Sequence, residues 1–395
     1  MTAVTLTPAA RWRGLLAIAV SAGVAGITYG CLSPLIAIIL EKQGHPNWAI
    51  GINSAAAFLP TIVLGPLVPK IFSRLGFFNA MMMGIVGEIV CVLLLLVWTD
   101  IWYWAGLRFL IGFFATILWI GSETWIVAMA PEGQRGRAIA FYMMAISGGF
   151  ALGPVVLQAT GTESILPFFI AAGLTFFAGC LIWSARAGAP DLPEAPKAAI
   201  RAAFRIAPLV MATALLAGFV DMAALTHLVN YGRAAGLNES TALLLLTIML
   251  MANLVMQFPV GWLADRVDKR KLLIVFGVIF FVAPILINVT VGQSFLMWPV
   301  LIVWGITSLG IYTVALTILG ERFEANLLAS ANAAIVVLYQ FGGVSGSFAG
   351  GTGMDLFGHK GLMWTFAAAA ALFLLFAAYR TWKRRQMGIG GPDEG

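Results

Sequence analysis

The sequence predicts an all-α membrane protein of twelve transmembrane helices, arranged as two six-helix bundles that repeat in parallel. Three observations carry this. The chain of 395 residues is 61% hydrophobic and only 10% charged, with a mean hydropathy of +0.95, whereas a soluble domain is about half apolar and roughly a quarter charged. Broken at charges, Pro/Gly and Asn/Gln clusters, it leaves twelve apolar runs, each near the roughly 20 residues a helix needs to cross a ~30 Å hydrocarbon core. Shifted against itself by 192 residues, it lays Gly26 on Gly218, Gly44 on Gly236 and Arg74 on Arg266, and with a drift of two residues Gly148 and Gly149 on Gly342 and Gly343.

The first run, 14–40, follows Arg11 and Arg13 as a signal peptide would, but it is too long for one and reads as an uncleaved helix. The second, 48–69, ends at P-K-I-F-S-R-L-G (69–76); the third, 77–98, is apolar almost throughout; the fourth, 101–125, starts after Thr99 and Asp100. Runs five and six, 136–159 and 165–185, are parted by Gly161 to Ser164. The second half repeats the order at 206–231, 241–264, 271–291, 295–319, 329–353 and 361–381. Several runs contain Gly or Pro, which membrane helices tolerate. No ten-residue segments of alternating polarity occur, so a β-barrel is excluded.

With the N-terminus in the cytoplasm, that side receives nearly every Lys and Arg, and the other side only Lys42, Arg233 and Lys360. The positive-inside rule then places both termini in the cytoplasm. Topology accounts for the formal charge of +6, which calls for no nucleic-acid partner. Cys31, Cys91 and Cys180 sit singly, without the spacing of a disulfide or metal site; no metal and no cofactor is expected. Six helices per half make both copies enter the membrane from the same side. The Pro-rich, charged stretch 186–205 reads as a cytoplasmic linker. The expected organisation is an N-terminal bundle over 1–185, that linker, a C-terminal bundle over 206–385 and a cytoplasmic tail over 386–395.

Between runs eight and nine lies P-V-G-W-L-A-D-R-V-D-K-R-K (259–271), with six charges in seven residues. Its core resembles the G-x-L-x-D-R-x-G-[RK]-[RK] loop of the major facilitator superfamily, with Asp268 where the family has Gly. The first-half counterpart at 69–76 has Pro69 for the Gly and Ser73 for the Asp. R-F-L-I-G at 108–112 resembles the family's R-x-x-x-G motif, and G-F-A-L-G-P at 149–154 the core of its antiporter motif. S-E-T-W-I at 122–126, followed by R-G-R at 135–137 and F-Y-M at 141–143, is similar to an E-S-W-L…R-G-R…Y-M pattern of a bacterial subfamily of these permeases. The resemblance implies two bundles that rock about a central site.

An ionised side chain in a helix core costs several kcal/mol, so each needs a partner, a wet cavity or a task. Asp221 lies roughly 15 Å from the outer end of run seven and Arg108 roughly 10 Å into run four, at 1.5 Å per residue. That suits proton coupling at Asp221 with Arg108 as substrate or coupling group; a static ion pair between the halves is the alternative. Glu88, mid-run three, is a second proton-binding candidate or a protonated structural residue. Glu123, fifteen residues past Arg108, is expected to form a cytoplasmic gate with Arg74, Arg135 or Arg137, as Asp265 and Arg266 would in the second half; the bland reading of these is a topology anchor. Tyr29, Trp119, Gln257, Tyr312 and Gln340, with Asn53, Tyr142 and Asn253, have the depth to line a cavity. Gly112, Gly149, Gly153 and Gly343 are expected to let helices approach closely. His227 reads as structural, and the methionines of run eight as lipid-facing or core rather than metal ligands.

The expected function is secondary active transport of a small organic solute, proton-coupled and monomeric, leaning to efflux antiport of amphipathic compounds. Proton-coupled uptake of a carboxylate-bearing solute is the alternative, and a non-transporting sensor on the same fold the alternative from another class. No Walker A loop points to ATP, and no H-E-x-x-H or G-x-S-x-G points to an enzyme.

Overall fold

The computed structural model describes residues 8–130, 135–189, 207–264, 266–292, 294–322 and 325–386, with no strand among them. In chain order the elements are α1 (Pro8–Lys42), α2 (Asn47–Ala56), α3 (Leu59–Val63), α4 (Val68–Leu75), α5 (Phe77–Leu94), α6 (Ile101–Met129), α7 (Arg135–Thr160), α8 (Leu166–Ser184), α9 (Pro208–Ala234), α10 (Glu239–Ala264), α11 (Lys269–Thr290), α12 (Ser294–Arg322), α13 (Ala325–Phe357) and α14 (Gly361–Gln386). Among the described residues, eleven helices are long and apolar enough to cross a membrane. The second predicted run is the exception: α2, α3, a 3-10 turn over Gly65–Leu67 and α4 take its place. Pro60, Pro66 and Pro69 each stand in the first turn of a piece. A proline has no N–H to give to the preceding turn, so the run breaks at each one.

One pair in the sequence repeat, Gly44 and Gly236, is a repeated helix stop. At the end of α1, Gly44 has φ +83°, its amide donates to the Glu41 carbonyl at 2.9 Å and the His45 amide donates to the Leu40 carbonyl at 3.1 Å. At the end of α9, Gly236 has φ +91°, and the Gly236 and Leu237 amides donate to the Arg233 and Gly232 carbonyls, both at 3.0 Å. Glycine adopts this left-handed conformation without a β-carbon penalty, and the paired bonds satisfy carbonyls that the helix end leaves open. Asp268, the departure from the superfamily loop, caps α11 by accepting from the Arg270 and Lys271 amides at 2.9 and 3.3 Å.

Packing repeats as well. α1 lies against α7 as α9 lies against α13, and α2 meets α13 as α10 meets α7; with α1 against α9, the last two pairs form the seam between the halves. A β-carbon at Gly149 would overlap the Gly23 carbonyl of α1, one at Gly153 the Gly30 backbone, and one at Gly112 the Ala57 carbonyl. In the second half the close backbone approach to α9 falls at Gly342 and Gly346, whereas Gly343 faces the Met222 side chain. One apolar core crosses the seam, joining Leu35, Ile38 and Leu40 of α1 to Ala224, Leu228 and Tyr231 of α9. The other, around Ile18, Met81, Trp125 and Ile182, draws its described residues from the N-terminal half alone. The halves are therefore packed together at the end that bears Lys42 and Arg233, and among the described residues the second core does not cross the seam.

Candidate functional site

Asp221 sits half-buried on α9. Its Oδ1 accepts from the Ser308 hydroxyl of α12, and its Oδ2 from the Tyr339 hydroxyl of α13 at 2.9 Å. Tyr312 of α12 packs edge-on against Tyr339, with centroids 5.3 Å apart. The alternative of a static ion pair with Arg108 is not seen: among the described residues, neither residue belongs to an ion pair.

Arg108, 4% exposed on α6, instead uses Nη2 to donate to the hydroxyls of Ser33 on α1 (3.2 Å) and Ser54 on α2 (3.3 Å). Ser54 and Thr226 of α9 lie 2.7 Å apart across the seam. The Thr226 hydroxyl proton is committed to the Met222 carbonyl, so Ser54 is the donor to Thr226. A directed chain thus runs from the guanidinium through two hydroxyls into the second half.

Glu88 of α5 is 1% exposed, and its Oε1 has no hydrogen-bond partner among the described residues. It faces a cavity of about 590 Å³, counting the open mouth, inside the N-terminal half. Tyr29 of α1, Trp119 and Ser122 of α6, and Tyr142 and Phe150 of α7 line it. A smaller cavity holds Thr28, Ser33 and Arg108, with Tyr29 as the shared wall.

The described residues cover the expected gate only in part, and those they cover form no ion pair among the described residues. Glu123 accepts from the Trp119 indole N–H at 2.9 Å, Arg74 is exposed with no ion pair among the described residues, and Arg266 lies over the Trp262 ring at 3.8 Å. Asp265 and the side chains of Arg135, Arg137 and Gln257 lie outside the described residues. Asn53 is taken up structurally, donating to the Ile101 carbonyl at 2.8 Å, and His227 joins α9 to the Ser347 carbonyl of α13 at 2.9 Å. Gln340 is half-buried on α13.

The charges that do join the halves lie at the other end, where sequence reasoning placed no gate. Lys42 Nζ is 3.3 Å from Glu163 and 3.0 Å from Glu239. Arg233 pairs with Glu41 and lies 3.8 Å from Glu239. Asp355 of α13 accepts from the backbone amides of Asn47 (3.0 Å) and Trp48 (2.7 Å), capping α2 from the opposite half. One signal was available: Glu41 and Arg233 are separated by the 192-residue repeat itself, and equivalent positions near the axis of a parallel repeat face each other.

A bundle of repeated halves with polar groups buried at its seam is the build of a membrane solute carrier. The profile described as Major Facilitator Superfamily matches residues 18–347 and again 228–389. The uncharacterised MFS-type transporter YfkF of Bacillus subtilis is 24% identical over 348 residues, covering 85% of this chain and 87% of its own. The uncharacterised MFS-type transporter Ent638_1421 of an Enterobacter species is 25% identical over 347 residues, covering 87% and 90%. Among solved structures, a bacterial homologue of the human lysosomal transporter Spinster superposes with a TM-score of 0.76 at 13% identity, covering 95% of this chain and 96% of that one. A D-xylose–proton symporter gives 0.66 at 16% identity, covering 92% and 97%. The chain belongs to the Major Facilitator Superfamily: it is a multi-pass membrane transporter and not an enzyme.

Proposed function

We propose that the chain is a proton-coupled secondary transporter of the bacterial cytoplasmic membrane. It moves a small organic solute by rocking its two halves, 1–185 and 206–385, about the seam, as a monomer with both termini in the cytoplasm. The observation that carries this is the setting of Asp221. A carboxylate held by two hydroxyls and no cation suits both protonation states, because a hydroxyl can donate to the ionised form and accept from the protonated one; an ion pair would fix it as ionised. Its hydroxyl partners come from two further helices of the same half, so a change of charge there is felt by α9, α12 and α13 together. The reading leans to efflux of amphipathic compounds, supported by the antiporter-like G-F-A-L-G-P and by the apolar lining around Glu88. Asp221→Asn is expected to abolish proton-driven transport in reconstituted vesicles while the protein still folds; unchanged transport in that variant removes Asp221 from the mechanism.

A second reading rests on Arg108. A buried guanidinium with hydroxyl partners alone is short of negative charge, and a carboxylate on the solute would supply it during proton-coupled uptake.

A further inference from the structure

We infer that the cavity inside the N-terminal half recognises an organic cation, with Glu88 as the counter-charge and Tyr29, Trp119 and Tyr142 as aromatic walls. The inference rests on the transporter reading above and names the class of its solute. Glu88 is 1% exposed and its Oε1 is without a partner among the described residues. Burying a polar atom in that state is costly, and among the described residues no Lys, Arg or His lines the cavity to offset it. The wall offers hydroxyls, an indole and apolar surface. The Trp119 indole N–H is committed to Glu123, which places a second carboxylate behind the ring. Arg108 does not neutralise Glu88: it lines the smaller cavity beyond Tyr29, where Ser33 and Ser54 hold it. A solute cation would take the place of the missing counter-ion and meet the faces of aromatic rings, which attract cations. An anion would meet the Glu88 carboxylate, with Glu123 beyond the Trp119 indole N–H, and an uncharged solute would leave Glu88 unpaired.

The test uses the purified full-length protein and three permanent cations of increasing size: tetramethylammonium, phenyltrimethylammonium and benzyltrimethylammonium. They are set against tert-butylbenzene, the uncharged isostere of the second, and against benzoate. Thermal stabilisation and calorimetry are expected to show binding by at least one aromatic cation, weakened tenfold or more in Glu88→Gln and in Trp119→Ala but less in Trp119→Phe. Trp119 is 42% exposed, so its variants keep the test available if Glu88→Gln fails to fold. Equal binding of the isostere, stronger binding of benzoate, cation binding indifferent to both positions, or no cation binding at all would each overturn the inference. Asp221-dependent flux without cation binding would sink this inference and leave the transporter reading standing; cation binding without any such flux would do the reverse.

Discussion

Arg108 illustrates how a charge stays buried with no counter-ion among the described residues: its Nη2 donates to two hydroxyls, one of which is directed onward, from Ser54 to Thr226 and the Met222 carbonyl. The link that matters most is Ser54, because it serves both the guanidinium and the opposite half. Ser54→Ala leaves a buried donor and a buried acceptor short, each worth on the order of 1–3 kcal/mol. The variant is expected to melt several degrees lower in detergent, whereas Ser54→Thr, which keeps the hydroxyl, is expected to stay near the parent; equal melting of Ser54→Ala would show that the chain is incidental. That Asp221 and Arg108 stand inside long apolar helices was legible in the sequence. Their partners were not. α9 is apolar and buried nearly all round, from Val210 to Gly232, so no polar stripe reveals which way Asp221 points, and the serine and tyrosine that hold it lie 87 and 118 residues away.

Between α1 and α7, two adjacent glycines have opposite surroundings. A β-carbon at Gly149 would overlap the Gly23 carbonyl, whereas one at Gly148 would touch only Leu254 Cδ2, at 3.7 Å. Gly149→Ala must therefore push two helices apart, at roughly the 1–3 kcal/mol typical of overpacking, and Gly148→Ala is expected to be neutral or slightly stabilising through better helix propensity. Comparing the folded yield and melting temperature of the two variants checks this; similar losses in both would mean that the doublet acts through something other than close packing. The glycine pattern was readable as small-residue packing, but the residue that makes the approach in the second half was displaced by one, from Gly343 to Gly342, because the repeat offset drifts along the chain. The break in the second passage has a different origin. Hydropathy reports apolarity and is blind to a missing N–H, so a run that contains Pro60, Pro66 and Pro69 scores as one helix and folds as several pieces.

At the scale of the whole molecule, repeat and motif made the fold legible because they report topology, which every working state shares. The conformation was not legible, since a transporter's sequence has to support more than one state at similar free energy. Here the seam-crossing apolar core and the ion pairs of Glu41, Lys42, Arg233 and Glu239 lie at the same end, so packing and charge hold that end shut together. Side chains about a quarter exposed, as Glu41 and Arg233 are (26% and 23%), make pairs worth about 0.2–1 kcal/mol. With tenfold per 1.4 kcal/mol, losing one pair moves the ratio of closed to open states by up to about fivefold, and like-charge repulsion adds to that. Asn230 reports the event, because it is buried at the seam and donates to the Ala37 carbonyl of α1 at 3.1 Å. In a background with Cys31, Cys91 and Cys180 replaced by Ala, Asn230→Cys is expected to resist a membrane-impermeant maleimide. Glu41→Arg should raise its labelling rate two- to fivefold, and adding Arg233→Glu, which restores the pair with its charges exchanged, should lower it again. A rate unmoved by Glu41→Arg would mean that the apolar core alone closes this end and that the charges merely decorate it.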